Sequence, residues 1–119
     1  MKVARLSPSA LQKILQGKVR EETTCVIKFY SNGCHYCHEL HEPYTKLAAD
    51  FEDIYFFAFN VDDYPQAEQI VGFKGIPALC VVKTGTNAPT RRVMPDPTTP
   101  HKKMWYHPKD IRKFIEKEK

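Results

Sequence analysis

The chain has 119 residues, 42% of them hydrophobic, which suffices for one sizeable core and not for two. No run reaches the roughly 20 apolar residues of a membrane span, and residues 1–6 lack the apolar stretch of a secretory signal. We therefore expect a single domain over residues 1–119, located in the cytoplasm and not in a membrane. Four cysteines are too few for a disulfide scaffold.

The net charge of +4 is concentrated near the C-terminus, since residues 101–119 hold seven Lys or Arg against three Asp or Glu. Ordinary surface lysines on an amphipathic helix account for this excess. Docking to an acidic protein partner or to nucleic acid is the alternative. The segment lacks the aromatic interleaving of a single-strand binding platform, so we expect no nucleic-acid partner.

Strand and helix signals alternate along the chain. β-branched and aromatic runs bounded by turn residues mark strands, and apolar residues at helical spacing mark helices. In chain order we predict first a strand over residues 3–6, a helix that begins at Ser7 and Pro8 and ends at Gly17, a strand over 24–30 and a helix over 35–51. A strand over 55–61 follows, then a short helix that begins at 62–65 and ends at Gly72. The last predicted elements are a strand over 78–83, a turn over 84–87 and a helix over 108–118. This order predicts a central mixed sheet of four to five strands with helices on both faces, an α/β fold.

Residues 90–106 give the weakest signal, because four prolines at 89, 95, 97 and 100 break any long element. We expect a protruding loop followed by a last antiparallel strand over residues 103–106. Trp105 is then a packing residue, with a recognition role as the alternative. His101 and His107 are expected to face solvent.

Cys34 and Cys37 lie where the second predicted strand gives way to a helix. Two thiols three residues apart can close a disulfide only across a tight turn, such as the start of a helix. The free N–H groups and the dipole at that end stabilise an anion, so Cys34 is predicted to be the thiolate and the nucleophile. The pattern indicates thiol–disulfide exchange.

The sequence resembles the thioredoxin superfamily, in particular a thioredoxin or a protein disulfide isomerase catalytic domain. The resemblance rests on residues 28–37 (KFYSNGCHYC), on 44–48 (YTKLA), on 60–62 (NVD) and on 75–78 (GIPA), which occur in the family's order and spacing. It implies a thioredoxin fold and a thiol–disulfide oxidoreductase. Pro77 should be a cis-proline facing the disulfide, with Gly75 and Ile76 offering a backbone edge to a substrate peptide.

The implied reaction is an exchange in two steps. The Cys34 thiolate attacks a substrate disulfide, and Cys37 then displaces the reduced product. No metal or organic cofactor is required. The resemblance implies protein disulfides or dithiols as substrates, recycling by a reductase or a small-thiol pool, a role in electron transport and a monomer. Between the two directions we favour reduction.

Three residues near the pair are expected to tune it. His35, when protonated, would favour the Cys34 thiolate, and Tyr36 resembles the glutaredoxin choice at its position. Lys28 stands where the family usually has a buried acid. As a nearby cation it would stabilise thiolates; alternatively its stem packs and its ammonium reaches water. Gly33 replaces the tryptophan that the family often has before the first cysteine.

Two other functions remain open from the residues. Cys34, Cys37, His38 and His41 share a helical face and could form a small zinc-binding module, although structural zinc sites generally join separate segments. The domain could also be a redox-inactive docking subunit that uses the same shape. Cys25 and Cys80, in neighbouring predicted strands, are expected to be buried free thiols, with a cross-strand disulfide as the alternative.

Overall fold

The structure is a computed structural model that describes residues 1–85 and 88–119. Its elements follow the predicted order closely. They are β1 (Val3–Arg5), α1 (Pro8–Leu15), β2 (Thr23–Tyr30), α2 (His35–Ala49), β3 (Tyr55–Asn60), a 3₁₀ turn (Val61–Asp63), α3 (Ala67–Val71), β4 (Ala78–Thr84), β5 (Thr90–Val93) and α4 (Pro108–Glu118). Thr86 and Asn87 of the predicted turn lie outside the described residues.

Five strands form one mixed sheet in the order β1-β3-β2-β4-β5. β1 and β2 run parallel to β3, whereas β4 runs antiparallel to β2 and to β5. The central strand β2 is buried on both faces, as its continuous β-branched and aromatic run predicts. The predicted fold class, a mixed sheet with helices on both faces, is confirmed.

Side chains alternate between the two faces of β2 and so divide the core in two. Cys25, Ile27 and Phe29 pack with residues of α1 and α3. Val26 packs on the other face, beneath α2 and α4. Lys28, two residues further along, therefore points toward α2, the helix that begins at the cysteine pair.

The helix ends follow local sequence rules. The Ser7 hydroxyl accepts a hydrogen bond from the Ala10 N–H at 3.2 Å and caps α1, which has Pro8 in its first turn. Gly72 ends α3 in the left-handed conformation, with φ of 96°. Within residues 1–85 and 88–119, every helix is too short or too polar to cross a bilayer.

The prediction for residues 90–106 was wrong in its placement of the last strand. That strand is β5, whose Arg91 and Arg92 pair with Val82 and Val81 of β4. β5 is an edge strand with polar side chains. It therefore lacks the alternation of apolar and polar residues by which a strand is predicted. Residues 103–106 instead belong to a turn in which Trp105 has a left-handed backbone with φ of 66°, which a strand does not accommodate.

Candidate active site

Cys34 and Cys37 are joined by a disulfide across the first turn of α2, with their Cα atoms 5.2 Å apart. Cys34 is the N-cap of the helix, and its Sγ accepts a hydrogen bond from the Cys37 N–H at 3.1 Å. Cys34 is half-buried, whereas only 3% of Cys37 is exposed. An incoming sulfur can therefore reach Cys34, and Cys37 lies behind it.

Gly75, Ile76 and Pro77 lead into β4 at the same end of the sheet. Phe29 pairs with Ala78, so Pro77 lies next to the point where β2 leaves the sheet for the cysteine turn. The Ile76–Pro77 peptide bond is cis, and Gly75 has φ of 78°. The Gly75 N–H donates to Glu68 Oε2 at 3.4 Å, while Ile76 is half-buried. The structure thus brings this segment to the sheet end that carries the disulfide.

His35 and Tyr36, the two residues between the cysteines, are both exposed. Their ring centroids are 6.5 Å apart. The Tyr36 ring also lies 5.8 Å from the ring of Trp105, which comes from the segment before α4. The cysteine turn therefore has an aromatic neighbour that is remote in sequence.

Lys28 is buried beneath α2, with 3% of the residue exposed. Its Nζ lies 5.0 Å from the centroid of the Tyr44 ring and 5.7 Å from that of Tyr30. These are cation–π distances. Among residues 1–85 and 88–119, no carboxylate forms an ion pair with it. The expectation that its ammonium reaches the outer surface is not met.

The Lys28 side chain borders a cavity of about 710 Å³ that is also lined by Cys37. Within the part of the chain that the structure describes, none of the lining residues carries a carboxylate. Besides Cys37, which the disulfide holds, the cavity is lined by the Met1 amine and by the charged or polar side chains of Lys2, Arg5, Lys28, Tyr30, His38 and His41. Of these, Arg5 is paired with Asp63 at 2.7 Å. The cavity is therefore a cationic environment next to Cys37.

Burial shifts the proton equilibria of this region. Removal of its ammonium from water lowers the pKa of Lys28 from 10.5 to about 8. Burial also raises the pKa of Tyr44 well above its usual range, so the phenol stays neutral beside the lysine. At neutral pH, Lys28 is therefore mostly protonated. Its ammonium lies next to the rings of Tyr30 and Tyr44, and the neutral Tyr44 phenol supplies no counter-charge.

The four side chains of the zinc alternative do not converge. Cys34 and Cys37 are bonded to each other, and the His38 Nε2–H donates to the Asn32 carbonyl at 2.7 Å. In the described part of the chain, no group of three or more His, Cys, Asp or Glu side chains is placed to share a metal ion. The geometry thus gives no support to a metal module here.

Cys25 and Cys80 are free thiols in neighbouring strands, and each is at most 1% exposed. Burial raises the pKa of Cys25 to about 11 and that of Cys80 to about 12. The expected buried thiols are confirmed, and neither thiol has the ionisation that exchange chemistry needs.

Sequence reasoning missed one contributor to the site. Nothing in the segment 44–48 indicates that the Tyr44 hydroxyl reaches the sheet, where it lies 2.8 Å from the Phe57 carbonyl and 3.2 Å from that of Val26. His101 and His107 are partly exposed, and their rings also form exposed hydrogen bonds with backbone groups of residues 99–104. The Tyr44 contacts depend on tertiary placement and leave no trace in local spacing.

The family model described as thioredoxin matches residues 2–97. No curated protein sequence matches the chain significantly. Among solved structures, the chain is similar to the Trx4 domain of ERdj5, with a TM-score of 0.75, 20% identity and coverage of 99% of this chain and 96% of that one. It is also similar to Trichomonas vaginalis thioredoxin, with a TM-score of 0.72, 20% identity and coverage of 98% and 97%.

The J-Trx1 fragment of ERdj5 is a third similar structure, with a TM-score of 0.67 and 17% identity. The match covers 97% of this chain and 49% of the fragment, so the chain spans about half of that structure's length. At 17–20% identity, the structural matches show only that this chain has the same fold. Membership of the family follows from the family model, which matches residues 2–97.

Proposed function

This chain belongs to the thioredoxin family and carries the centre of a thiol–disulfide oxidoreductase, and we propose that it reduces disulfide bonds of protein substrates. The observation that carries the proposal is the Cys34–Cys37 disulfide across the first turn of α2, with Cys34 as the accessible N-cap. A sulfur at this position is stabilised as a thiolate by the helix N-terminus once the pair is reduced.

The reaction begins from the dithiol form. The Cys34 thiolate attacks one sulfur of the substrate disulfide, and the second substrate sulfur leaves as a thiolate that takes up a proton. Cys37 then loses its proton and attacks Cys34 Sγ, which releases the first substrate sulfur and leaves Cys34–Cys37 oxidised. Two electrons have moved to the substrate. A reductase or a small-thiol pool must return them.

Residues 75–77 are the proposed substrate edge. The half-buried Ile76 and the left-handed Gly75 lie at the sheet end that carries the disulfide, and an extended substrate can pair with backbone groups there. We assign a binding role to Gly75, Ile76 and Pro77 on this placement.

Lys28 and His35 are the proposed tuning residues. Lys28 borders the cavity that Cys37 also lines, so its charge favours any thiolate of the reduced pair. His35, in the first turn of α2, adds positive charge beside Cys34 when it is protonated. This cationic setting supports oxidation or isomerisation as the second candidate direction, since a stabilised reduced form is a weaker reductant.

We propose that the protein acts in a reducing compartment, the cytoplasm. It acts there as a monomer and takes part in electron transport. The two free thiols in neighbouring strands, Cys25 and Cys80, suit such a compartment. No metal, organic cofactor or nucleic acid enters the proposed reaction.

Insulin reduction tests the activity. The wild type should catalyse it with dithiothreitol as electron donor, and Cys34→Ser should fall to background. Cys37→Ser should accumulate a mixed disulfide with the substrate. Cys80→Ala, which removes a thiol buried away from the pair, is the matched control and should stay active. Equal background rates for the wild type and Cys34→Ser would identify a redox-inactive docking subunit instead.

The midpoint potential of the pair tests the direction. Equilibration with glutathione or dithiothreitol should give a value closer to that of thioredoxin, about −270 mV, than to that of protein disulfide isomerase, about −180 mV. A value at or above the second figure supports oxidation or isomerisation.

A further inference from the structure

Residues 98–107 follow the part of the chain matched by the family model, yet they contact the cysteine turn. Trp105, the only tryptophan of the chain, contacts Tyr36, which lies between the two cysteines. A segment that the family model does not cover is thereby placed beside the cysteine turn.

A tight turn over residues 102–104, closed by a backbone bridge between His101 and Trp105, holds Trp105 in place. The backbones of His101 and Trp105 exchange two hydrogen bonds, of 2.9 and 3.1 Å. The His101 ring accepts at Nδ1 from the N–H groups of Lys103, at 3.1 Å, and Met104, at 3.4 Å. The backbone conformation of this turn is therefore specified by several hydrogen bonds.

Trp105 adopts a left-handed backbone with φ of 66°, which is unfavourable for a bulky side chain. The turn holds this conformation, and the indole lies with its ring centroid 5.8 Å from that of Tyr36. Backbone strain that the surrounding structure maintains is concentrated at functional sites of proteins. The strained Trp105 lies next to such a site.

Tyr36 and Trp105 together form an aromatic platform beside Cys34. Tyr36 is 38% exposed, and Trp105 is half-buried with its inner side against the core beneath α2 and α4. Rigid aromatic side chains with partial exposure are typical anchors of protein interfaces.

The turn that carries Trp105 is basic. Lys102 and Lys103 are exposed on the turn, and His35 is exposed on the cysteine turn. The acids near the platform are Glu39, which is exposed one helical turn after Tyr36 in α2, Asp96, whose charge acts on the Tyr106 phenol, and Asp110 in the first turn of α4. The exposed part of the turn itself therefore presents cations.

We propose that the platform formed by Tyr36 and Trp105, together with Lys102 and Lys103, recognises an acidic segment of the protein substrate next to its disulfide. The aromatic rings contact the apolar parts of that segment, and the two lysines pair with its carboxylates. This inference rests on the proposed function and names the class of substrate that the site prefers.

Trp105 fluorescence tests binding without any exchange chemistry. The probe is a pair of peptides of equal length with their cysteines replaced by serine, one acidic and one basic around the same aromatic residue. Titration of the oxidised wild type with the acidic peptide should give a saturable change in emission, with a dissociation constant about tenfold lower than for the basic peptide. Absence of a saturable change with the acidic peptide would overturn the proposal.

Kinetics on the corresponding disulfide peptides test recognition during turnover. Trp105→Asn removes the indole, and asparagine tolerates the left-handed backbone, so the turn should remain folded. The ratio of kcat/KM for the acidic peptide to that for a small neutral aromatic disulfide should fall about tenfold, through KM. Trp105→Phe should restore part of the ratio. An equal loss on both substrates would mean that Trp105 only positions the cysteine turn and would contradict substrate recognition.

Charge reversal completes the test. The double variant Lys102→Glu and Lys103→Glu should lose the preference for the acidic peptide and the salt dependence of its KM. An unchanged preference would overturn the assignment of the lysines. Failure of the wild type to reduce any disulfide contradicts the proposed function alone, because the fluorescence titration reports on the platform separately.

Discussion

Lys28 Nζ lies 5.0 Å from the centroid of the Tyr44 ring, beneath the helix that carries Cys37. In the described part of the chain, no carboxylate forms an ion pair with this buried ammonium. A buried cation of this kind costs folding free energy and, at the same time, favours negative charge on nearby sulfurs. Both effects can be measured separately.

Lys28→Met should flatten the dependence of stability on alkaline pH. Since burial lowers the pKa of Lys28 from 10.5 to about 8, the unfolded chain holds more protons than the native protein between these values, and stability rises with pH. Relative to the variant, the oxidised wild type should gain about 2 kcal/mol between pH 7 and pH 9.5. Urea unfolding at both pH values measures this difference.

Lys109→Met, on an exposed position of α4, serves as the control for that comparison. Its stability should follow the pH profile of the wild type. Parallel profiles for Lys28→Met and the wild type would show that the ammonium is not desolvated.

Lys28→Met should also make the cysteine pair more reducing. With the cation gone, thiolates of the reduced pair lose a stabilising charge, and the midpoint potential at pH 7 should fall by about 30 mV, equivalent to ~1.4 kcal/mol for two electrons. The difference should shrink above about pH 8, where Lys28 loses its proton. Glutathione equilibration measures it. Equal potentials at pH 7 would exclude an electrostatic role for Lys28.

Tyr44→Phe should destabilise the protein by about 1–3 kcal/mol. The Tyr44 hydroxyl donates hydrogen bonds to the carbonyls of Val26 and Phe57. Its removal deprives these buried carbonyl oxygens of a donor. Chemical unfolding provides the measurement. Tyr55→Phe removes a hydroxyl from a residue that is 49% exposed and should change stability by less than about 0.5 kcal/mol. Equal effects of the two substitutions would disprove the role of the buried hydroxyl.

The oxidised native protein should expose no rapidly reacting thiol at pH 8. Cys25 and Cys80 are buried, and their raised pKa values of about 11 and about 12 keep them protonated. Titration with a chromogenic disulfide reagent should therefore be slow in buffer and should show two thiols in denaturant. Rapid reaction of even one thiol in buffer would contradict the burial of this pair of strands.

Much of the fold follows from local patterns because its central elements obey simple rules. The run from Cys25 to Phe29 marks a strand buried on both faces, and Ser7 and Gly72 mark helix ends. β5 was missed, since a four-residue edge strand that contains Arg91 and Arg92 has no apolar alternation to detect.

The cysteine pair could be located from the sequence, but its surroundings could not. The place of Lys28 in a strand that is buried on both faces predicts that its stem packs, but burial of its ammonium beside two aromatic rings depends on how α2 packs on the sheet. The contact of Trp105 with Tyr36 depends on a left-handed tryptophan, a conformation that no propensity rule assigns to this residue.

The most direct test of the central claim is the rate at which iodoacetamide alkylates Cys34 in the reduced protein at pH 7. A thiol held at the N-cap of α2 is enriched in thiolate, so Cys34 should react at least about tenfold faster than the thiol of an unstructured peptide. Labelling of Cys34 at the rate of the peptide thiol would contradict its role as the nucleophile of this oxidoreductase.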